Sequence, residues 1–219
     1  MPDRPQLPAQ LTSTGVVAIA RASSANRVVP AVETLVDAGV TCLELTMTMP
    51  GAVDNIAVLV NLLGESACVG AGTVLTTRQA GECIDAGAKF IVAPSAVPEV
   101  VEFASAQGIP VLPGALTPSE ILASWVAGAA AVKVFPASAV GPQYLRDVRA
   151  PLPDIPLIPT GGVSIDDVSR YLDAGAVAVG MGGPLFGDAL RDDGDLSALA
   201  TRAKRLLDAV RAARAGRPV

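Results

Sequence analysis

The sequence predicts an α/β chain folded as a single-domain (β/α)8, or TIM, barrel, and three observations carry that expectation. Glycine recurs where a helix would stop, at Asp37-Ala38-Gly39, Leu63-Gly64, Asp85-Ala86-Gly87, Gln107-Gly108, Ala127-Gly128 and Asp173-Ala174-Gly175. A left-handed residue closes a helix most easily there. Each stop is followed within a few residues by a short run rich in Val, Ile, Leu or Ala, the pattern of a strand buried on both faces. Eight such runs in 219 residues fit a small barrel better than an open doubly wound sheet, which usually has fewer strands.

The first strand is expected over 16–20, after an N-terminal extension of residues 1–12. The helix behind it should pack through Val29, Val32 and Val36, which share one stripe. Further strands follow over 41–46, 67–70, 89–93, 110–112, 130–135, 155–159 and 176–181. Helix starts fall between them. Thr117-Pro118-Ser119-Glu120 offers an N-cap, a first-turn proline and a capping glutamate, and Thr76 with Gln79 and Ser164 with Asp167 repeat the spacing. The last helix is expected over 195–213, with Leu199, Leu206 and Val210 near one stripe. Arg202, Lys204, Arg205, Arg211, Arg214 and Arg217 should form its solvated face.

Composition excludes several functions. Hydrophobic residues make up 51% of the chain, yet no unbroken apolar run reaches the roughly 18 residues of a membrane span. The start, Met-Pro-Asp-Arg-Pro-Gln-Leu-Pro, lacks the apolar centre of a signal peptide, so a cytoplasmic location is expected. A net charge of -5 argues against nucleic-acid binding. Cys42, Cys68 and Cys83 are odd in number and form no CxxC pair, so they read as small buried residues rather than a disulfide or zinc framework. Histidine is absent. Acid-base chemistry must therefore use carboxylates, lysine or bound water, and no metal site is expected.

Chemistry in this fold sits where the strands end. Lys133 stands alone in the apolar stretch Ala129-Ala130-Ala131-Val132-Lys133-Val134-Phe135-Pro136. Burial disfavours the charged form of an amine, and a neutral amine can attack a ketone to form a Schiff base; the plainer alternative is a lysine that snorkels to water. Glu44 lies two residues before the end of the second strand. Both strands are even-numbered, so an inward Glu44 and an inward Lys133 share an interior layer, as a proton-moving pair or as a buried salt bridge. Thr160-Gly161-Gly162-Val163 and Gly180-Met181-Gly182-Gly183 end strands seven and eight, the pair of loops that often binds phosphate through backbone N–H groups. Their glycines would equally permit tight turns. Gly70-Ala71-Gly72-Thr73 suggests close backbone approach to a ligand, with the Thr73 hydroxyl as a donor or as the cap of the next helix. Pro94 and Pro113 would shape the cavity wall or serve only the turn, and Arg21 would meet an oxyanion or remain at the surface.

These residues resemble a known family, the 2-keto-3-deoxy-6-phosphogluconate and 4-hydroxy-2-oxoglutarate aldolases, across nearly the full length. The matching stretches are Ala18-Ile19-Ala20-Arg21-Ala22, Leu43-Glu44-Leu45-Thr46, Gly70-Ala71-Gly72-Thr73-Val74, Pro113-Gly114 with Thr117-Pro118-Ser119-Glu120, Lys133-Val134-Phe135-Pro136, Gly141-Pro142-Gln143-Tyr144 and Pro159-Thr160-Gly161-Gly162-Val163. The resemblance implies a class I aldolase of the Entner-Doudoroff type that cleaves 2-keto-3-deoxy-6-phosphogluconate reversibly to pyruvate and glyceraldehyde 3-phosphate. It implies that Lys133 forms the Schiff base, Glu44 moves protons, Thr73 holds the pyruvyl carboxylate, and Gly161 and Gly162 bind phosphate. Pro94, Phe135, Gly182 and Gly183, at the same strand ends, are expected beside them as substrate-binding residues. No metal or other cofactor and a homotrimer are also implied.

Two departures matter. Some members carry an arginine four residues after the glutamate, where this chain has Thr48, so the anion-binding role passes to Arg21. Members that bind sugar phosphates often carry a serine where this chain has Gly183, and Pro184 after it has no N–H to donate. Within the same chemistry the galactonate epimer, 4-hydroxy-2-oxoglutarate or an unphosphorylated sugar acid remain open. From other classes, so do a phosphate-binding isomerase or thiazole-phosphate enzyme and a non-catalytic oligomeric barrel.

Overall fold

The computed structural model describes residues 4–216. In chain order the elements are α1 (Ala9–Thr14), β1 (Val16–Ala20), α2 (Val28–Asp37), β2 (Cys42–Thr46), α3 (Ala52–Leu63), β3 (Cys68–Gly72), α4 (Thr77–Asp85), β4 (Ile91–Val92), α5 (Pro98–Ser105), β5 (Val111–Leu112), β6 (Gly114–Ala115), α6 (Pro118–Val126), β7 (Val132–Val134), α7 (Gly141–Arg149), β8 (Leu157–Pro159), α8 (Val168–Asp173), β9 (Val179–Met181), α9 (Gly183–Phe186) and α10 (Leu196–Ala215). The result is an α/β fold around a curled sheet of parallel strands. One group of strands runs β5-β4-β3-β2-β1-β9 and the other β6-β7-β8.

The eight expected strands are all present, and one is split. Pro113 has no N–H to give a ladder, so the strand predicted over 110–112 continues past it as a second segment. Its first half, β5, pairs with β4, and its second half, β6, pairs with β7. Hydrogen bonds cross the gap: the Ala130 N–H donates to the Val111 carbonyl at 2.9 Å and the Lys133 N–H to the Pro113 carbonyl at 2.9 Å. At the other seam the Val177 N–H donates to the Leu157 carbonyl at 3.1 Å, and Thr160 bridges Gly180.

Side chains alternate across each strand, and the curl therefore has two cores. Val16, Ala18 and Ala20 join the larger cluster between sheet and helices. Val17, Ile19, Cys42, Cys68, Phe90, Val92, Leu112 and Ile158 form a smaller one inside the curl. The expected helix signals hold: Thr117 and Glu120 make a reciprocal capping box, Thr76 accepts from the Gln79 N–H and Ser164 from the Asp167 N–H. Gly39, Gly64, Gly87, Gly108, Gly128 and Gly175 all have positive φ.

Three expectations need correction. In α2 the buried stripe is Val28, Ala31, Val32 and Leu35, with Val29 and Val36 only half-buried, because the N-terminus is rotated by one residue from the sequence-based stripe. The N-terminal extension is not merely an arm: it includes α1, whose Leu11 is fully buried with the interior cluster. The basic residues of α10 do not all face water. Arg202 donates to the Leu185 and Phe186 carbonyls at 2.6 and 2.7 Å, satisfying the C-terminal end of α9, and Arg214 donates to the Ser13 and Thr12 carbonyls. Lys204, Arg205 and Arg211 are exposed as expected. Arg217 and the first three residues lie outside the described residues.

Candidate active site

Glu44 and Lys133 are inward-facing on β2 and β7, and both are buried, at 1% and 6% exposure. Alternation places them there: Glu44 follows inward Cys42 by two, and Lys133 sits between outward Val132 and Val134. They border one small interior cavity with Val17, Val92, Leu112, Ile158, Thr160 and Gly180. Among the described residues the ion pairs are four exposed ones elsewhere, so Glu44 and Lys133 face one cavity without forming a salt bridge. The Lys133 Nζ lies 5.2 Å from the centre of the Phe135 ring.

Glu44 is the more unusual of the two. Its Oε1 is buried without a hydrogen-bond partner among the described residues. Burial pushes its pKa upward, while the charges of Lys133 and Arg21 pull it back down. A carboxyl group so placed holds a proton more readily than a solvated one, which suits it to proton transfer. Gly72 on β3, two residues past the Gly70 that pairs with Glu44 in register, makes the space: a Cβ there would overlap the Glu44 carboxylate. We expect Gly72→Ala to push this carboxylate out of position, lowering kcat by about 10²-fold while the fold persists. Steady-state kinetics beside circular dichroism would check it.

Above this cavity opens a cleft of about 180 Å³ lined by Ile19, Arg21, Lys133, Phe135, Thr160, Gly161, Gly162, Val163, Gly180, Met181, Gly182, Gly183 and Pro184. Lys133 and Thr160 border both spaces. Seven of the residues singled out in the sequence therefore meet here: Arg21, Lys133, Phe135, Gly161, Gly162, Gly182 and Gly183. Arg21 is exposed and also borders a second opening with Ser23, Ser24 and Arg191. Gly161 and Gly162 have φ of 86° and 77°, a backbone region that side-chain-bearing residues rarely adopt, and a Cβ would press on Phe135 or Ser138. The two turns are thus needed both for shape and for close approach.

Thr73 and Pro94 are not brought into this cleft. Thr73 has φ of 59° in the turn after β3, and the helix cap is Thr76 instead. The backbone of Pro94 lies against Gly114, where a Cβ would clash with its carbonyl, which is a packing role. At Gly70 and Gly72 side chains pack closely on the backbone: a Cβ at Gly70 would overlap Phe90, and one at Gly72 would overlap Glu44. Thr160 was not singled out by its sequence, yet it is buried and borders both spaces. Its signal was a polar residue at a strand end immediately before the two glycines. Thr48 pairs with Thr46 at 3.1 Å.

A curled parallel sheet whose strand ends gather a buried amine, a buried carboxyl group and glycine turns defines an α/β enzyme with its chemistry at the mouth of the sheet. The chain belongs to the aldolase family described as KDPG and KHG aldolase, whose model matches residues 7–201. It is 35% identical over 176 residues to the 2-dehydro-3-deoxy-6-phosphogalactonate aldolase of Escherichia coli (strain K12), covering 80% of this chain and 86% of the relative. A solved structure described as native KDPGal superposes with a TM-score of 0.88 at 32% identity, over 96% of this chain and 99% of the other. A cube-shaped protein cage designed by fusing symmetric oligomeric domains matches with a TM-score of 0.85 at 32% identity, over 91% of this chain and 73% of that one. The protein is accordingly an aldolase, a carbon-carbon lyase that cleaves its substrate to pyruvate and an aldehyde.

Proposed function

We propose that the protein is a class I aldolase that cleaves a 2-keto-3-deoxy-6-phospho sugar acid through a Schiff base on Lys133, without metal or external cofactor. The observation that carries this is the shared cavity of Lys133 and Glu44 beneath a cleft edged by two glycine turns. The substrate keto group meets the Lys133 amine, and carbinolamine loses water to give the imine. The imine withdraws electrons as the C3–C4 bond breaks, leaving an enamine of pyruvate and releasing the aldehyde. A base must take the C4 hydroxyl proton in that step and an acid must return one to C3; Glu44, which shares the cavity of Lys133, does both in this reading, directly or through water. Thr160, which borders the cleft, takes the pyruvyl carboxylate in place of Thr73. Gly161, Gly162, Gly182 and Gly183, with Arg21 at the end of the strand beside β9, suit the distal phosphate; Pro184 offers no N–H.

The gluconate epimer is the first reading of the substrate. The galactonate epimer is the second, favoured by the Escherichia coli relative and the solved structure. Pyruvate release measured on both 6-phospho epimers, on an unphosphorylated sugar acid and on 4-hydroxy-2-oxoglutarate tests the reading. We expect kcat/KM at least about 10²-fold higher for a phosphorylated acid, the scale of one charge-assisted clamp. Equal values without the phosphate would remove that role from the glycine turns and Arg21.

We further read the curl as one closed eight-stranded barrel in one domain, on the hydrogen bonds that span both seams. A homotrimer is supported by exposed Val58, Leu62, Leu122 and Val126 on α3 and α6 and by the oligomeric domains of the designed cage. Three unbridged cysteines suit the reducing cytoplasm.

A further inference from the structure

Cys42 on β2 and Cys68 on β3 are register partners on neighbouring parallel strands. Both are free and buried, and both belong to the interior cluster with Leu11 and Phe90. In-register residues on adjacent strands lie about 4.8 Å apart, inside the roughly 4.4–6.8 Å Cα separation that a disulfide tolerates. The pair opens strands that end at Thr46 and Gly72, with Glu44 midway along β2, so it lies at the end of the curl away from the Lys133 cleft. Cys68 also borders an opening of about 290 Å³ with Gln6, Gln10, Glu65 and Lys89. Cys42 stands behind it, and nothing in the aldol chemistry uses either thiol.

We propose that Cys68 and Cys42 form a peroxide-reactive dithiol, a modification site at the opposite end of the curl from the aldolase cleft, in which Cys68 reacts first and Cys42 resolves it. The Cys68 thiolate attacks one oxygen of hydrogen peroxide. The O–O bond breaks, leaving a sulfenic acid on Cys68, and the departing hydroxide takes up the proton that Cys68 had lost. The Cys42 sulfur then attacks the Cys68 sulfur; the S–O bond breaks and the hydroxyl leaves as water with the Cys42 proton. Two thiols and one peroxide become one disulfide and two waters. The electrostatics support this order. A hydrogen bond from Cys42 favours the thiolate at Cys68 against its burial, with help from Lys89. Burial pushes the Cys42 thiol up, and the interactions with Cys68 and Glu44 push it further. Cys83 provides an internal comparison: burial holds its thiol up at about 11, and its sulfur contacts the Met47 Sδ at 3.3 Å.

The test is a time course of the full-length protein with hydrogen peroxide, quenched by alkylation and read by intact and non-reduced peptide mass spectrometry. We expect a product lighter by two hydrogens and a Cys42–Cys68 linked peptide, in the wild type and in Cys83→Ser alike. Cys42→Ser should instead accumulate a dimedone-trappable sulfenic acid on Cys68. Cys68→Ser should leave Cys42 unmodified. Absence of the link in folded protein, earlier oxidation of Cys83, or sulfenic acid on Cys42 would overturn the proposal. Should either serine variant lose its circular dichroism, the wild-type time course still decides, because dimedone must then capture Cys68 before the link appears and never Cys42.

Discussion

Replacing Lys133 with alanine is expected to lower kcat/KM for aldol cleavage by roughly 10⁴-fold or more, the scale of losing a covalent nucleophile. The fold should survive. Among the described residues the Lys133 side chain makes no hydrogen bond or ion pair, and removing a buried amine relieves a desolvation cost as well as leaving a cavity. Borohydride added with pyruvate reduces and traps an imine, so the wild type should gain one pyruvyl group on the peptide containing Lys133. The Lys133→Ala protein should gain none while keeping its circular dichroism. Retained cleavage, or an adduct on another lysine, would take the Schiff base away from β7 and leave only the glycine turns as the reacting region.

Glu44→Gln should separate catalysis from stability. Glutamine cannot take or return a proton, so kcat should fall by about 10²- to 10⁴-fold while the imine with pyruvate can still be trapped. Stability should move the other way. Burial raises the folded-state pKa of Glu44 above its unfolded value of about 4.3, even with Lys133 and Arg21 opposing. The folded protein therefore holds this proton more tightly than the unfolded chain does. Its contribution to stability is fully present below the unfolded pKa and is lost as pH rises through the raised folded value. The variant has no such proton to lose. Above that window it should be more stable than the wild type by about 1 kcal/mol, or ~2–4 °C in Tm, and the difference should shrink toward pH 4. Thermal melts across pH 4 to 8 would show it. A Tm that falls in the variant at every pH would mean that attraction to Lys133 and Arg21 outweighs desolvation.

The strands and helices were legible because their signals are local. Glycine at helix stops, the Thr117–Glu120 capping box and short apolar runs act within a few residues, and each appears where expected. Lys133 was legible for a related reason: a charge inside an apolar run is costly wherever the run packs. Parity of strand number also placed Glu44 and Lys133 in one interior layer. The misassignments fall where two distant segments decide. The stripe of α2 looked like Val29, Val32 and Val36, but packing against the sheet buries Val28, Ala31, Val32 and Leu35. Arg202 looked solvated, but the end of α9 supplies two carbonyls that it satisfies.

The sequence by itself therefore determined the alternating elements, their punctuation, and the buried amine and carboxyl group proposed for the aldolase chemistry. Only the tertiary structure decided which residues share the cleft, admitting Thr160 and leaving out Thr73 and Pro94. It alone brought Cys42 beside Cys68, through the register of β2 on β3. The physical reason is range. Caps, turns and alternation are set by bonds spanning three or four residues, whereas a cavity is bounded by side chains that meet only after the sheet has curled.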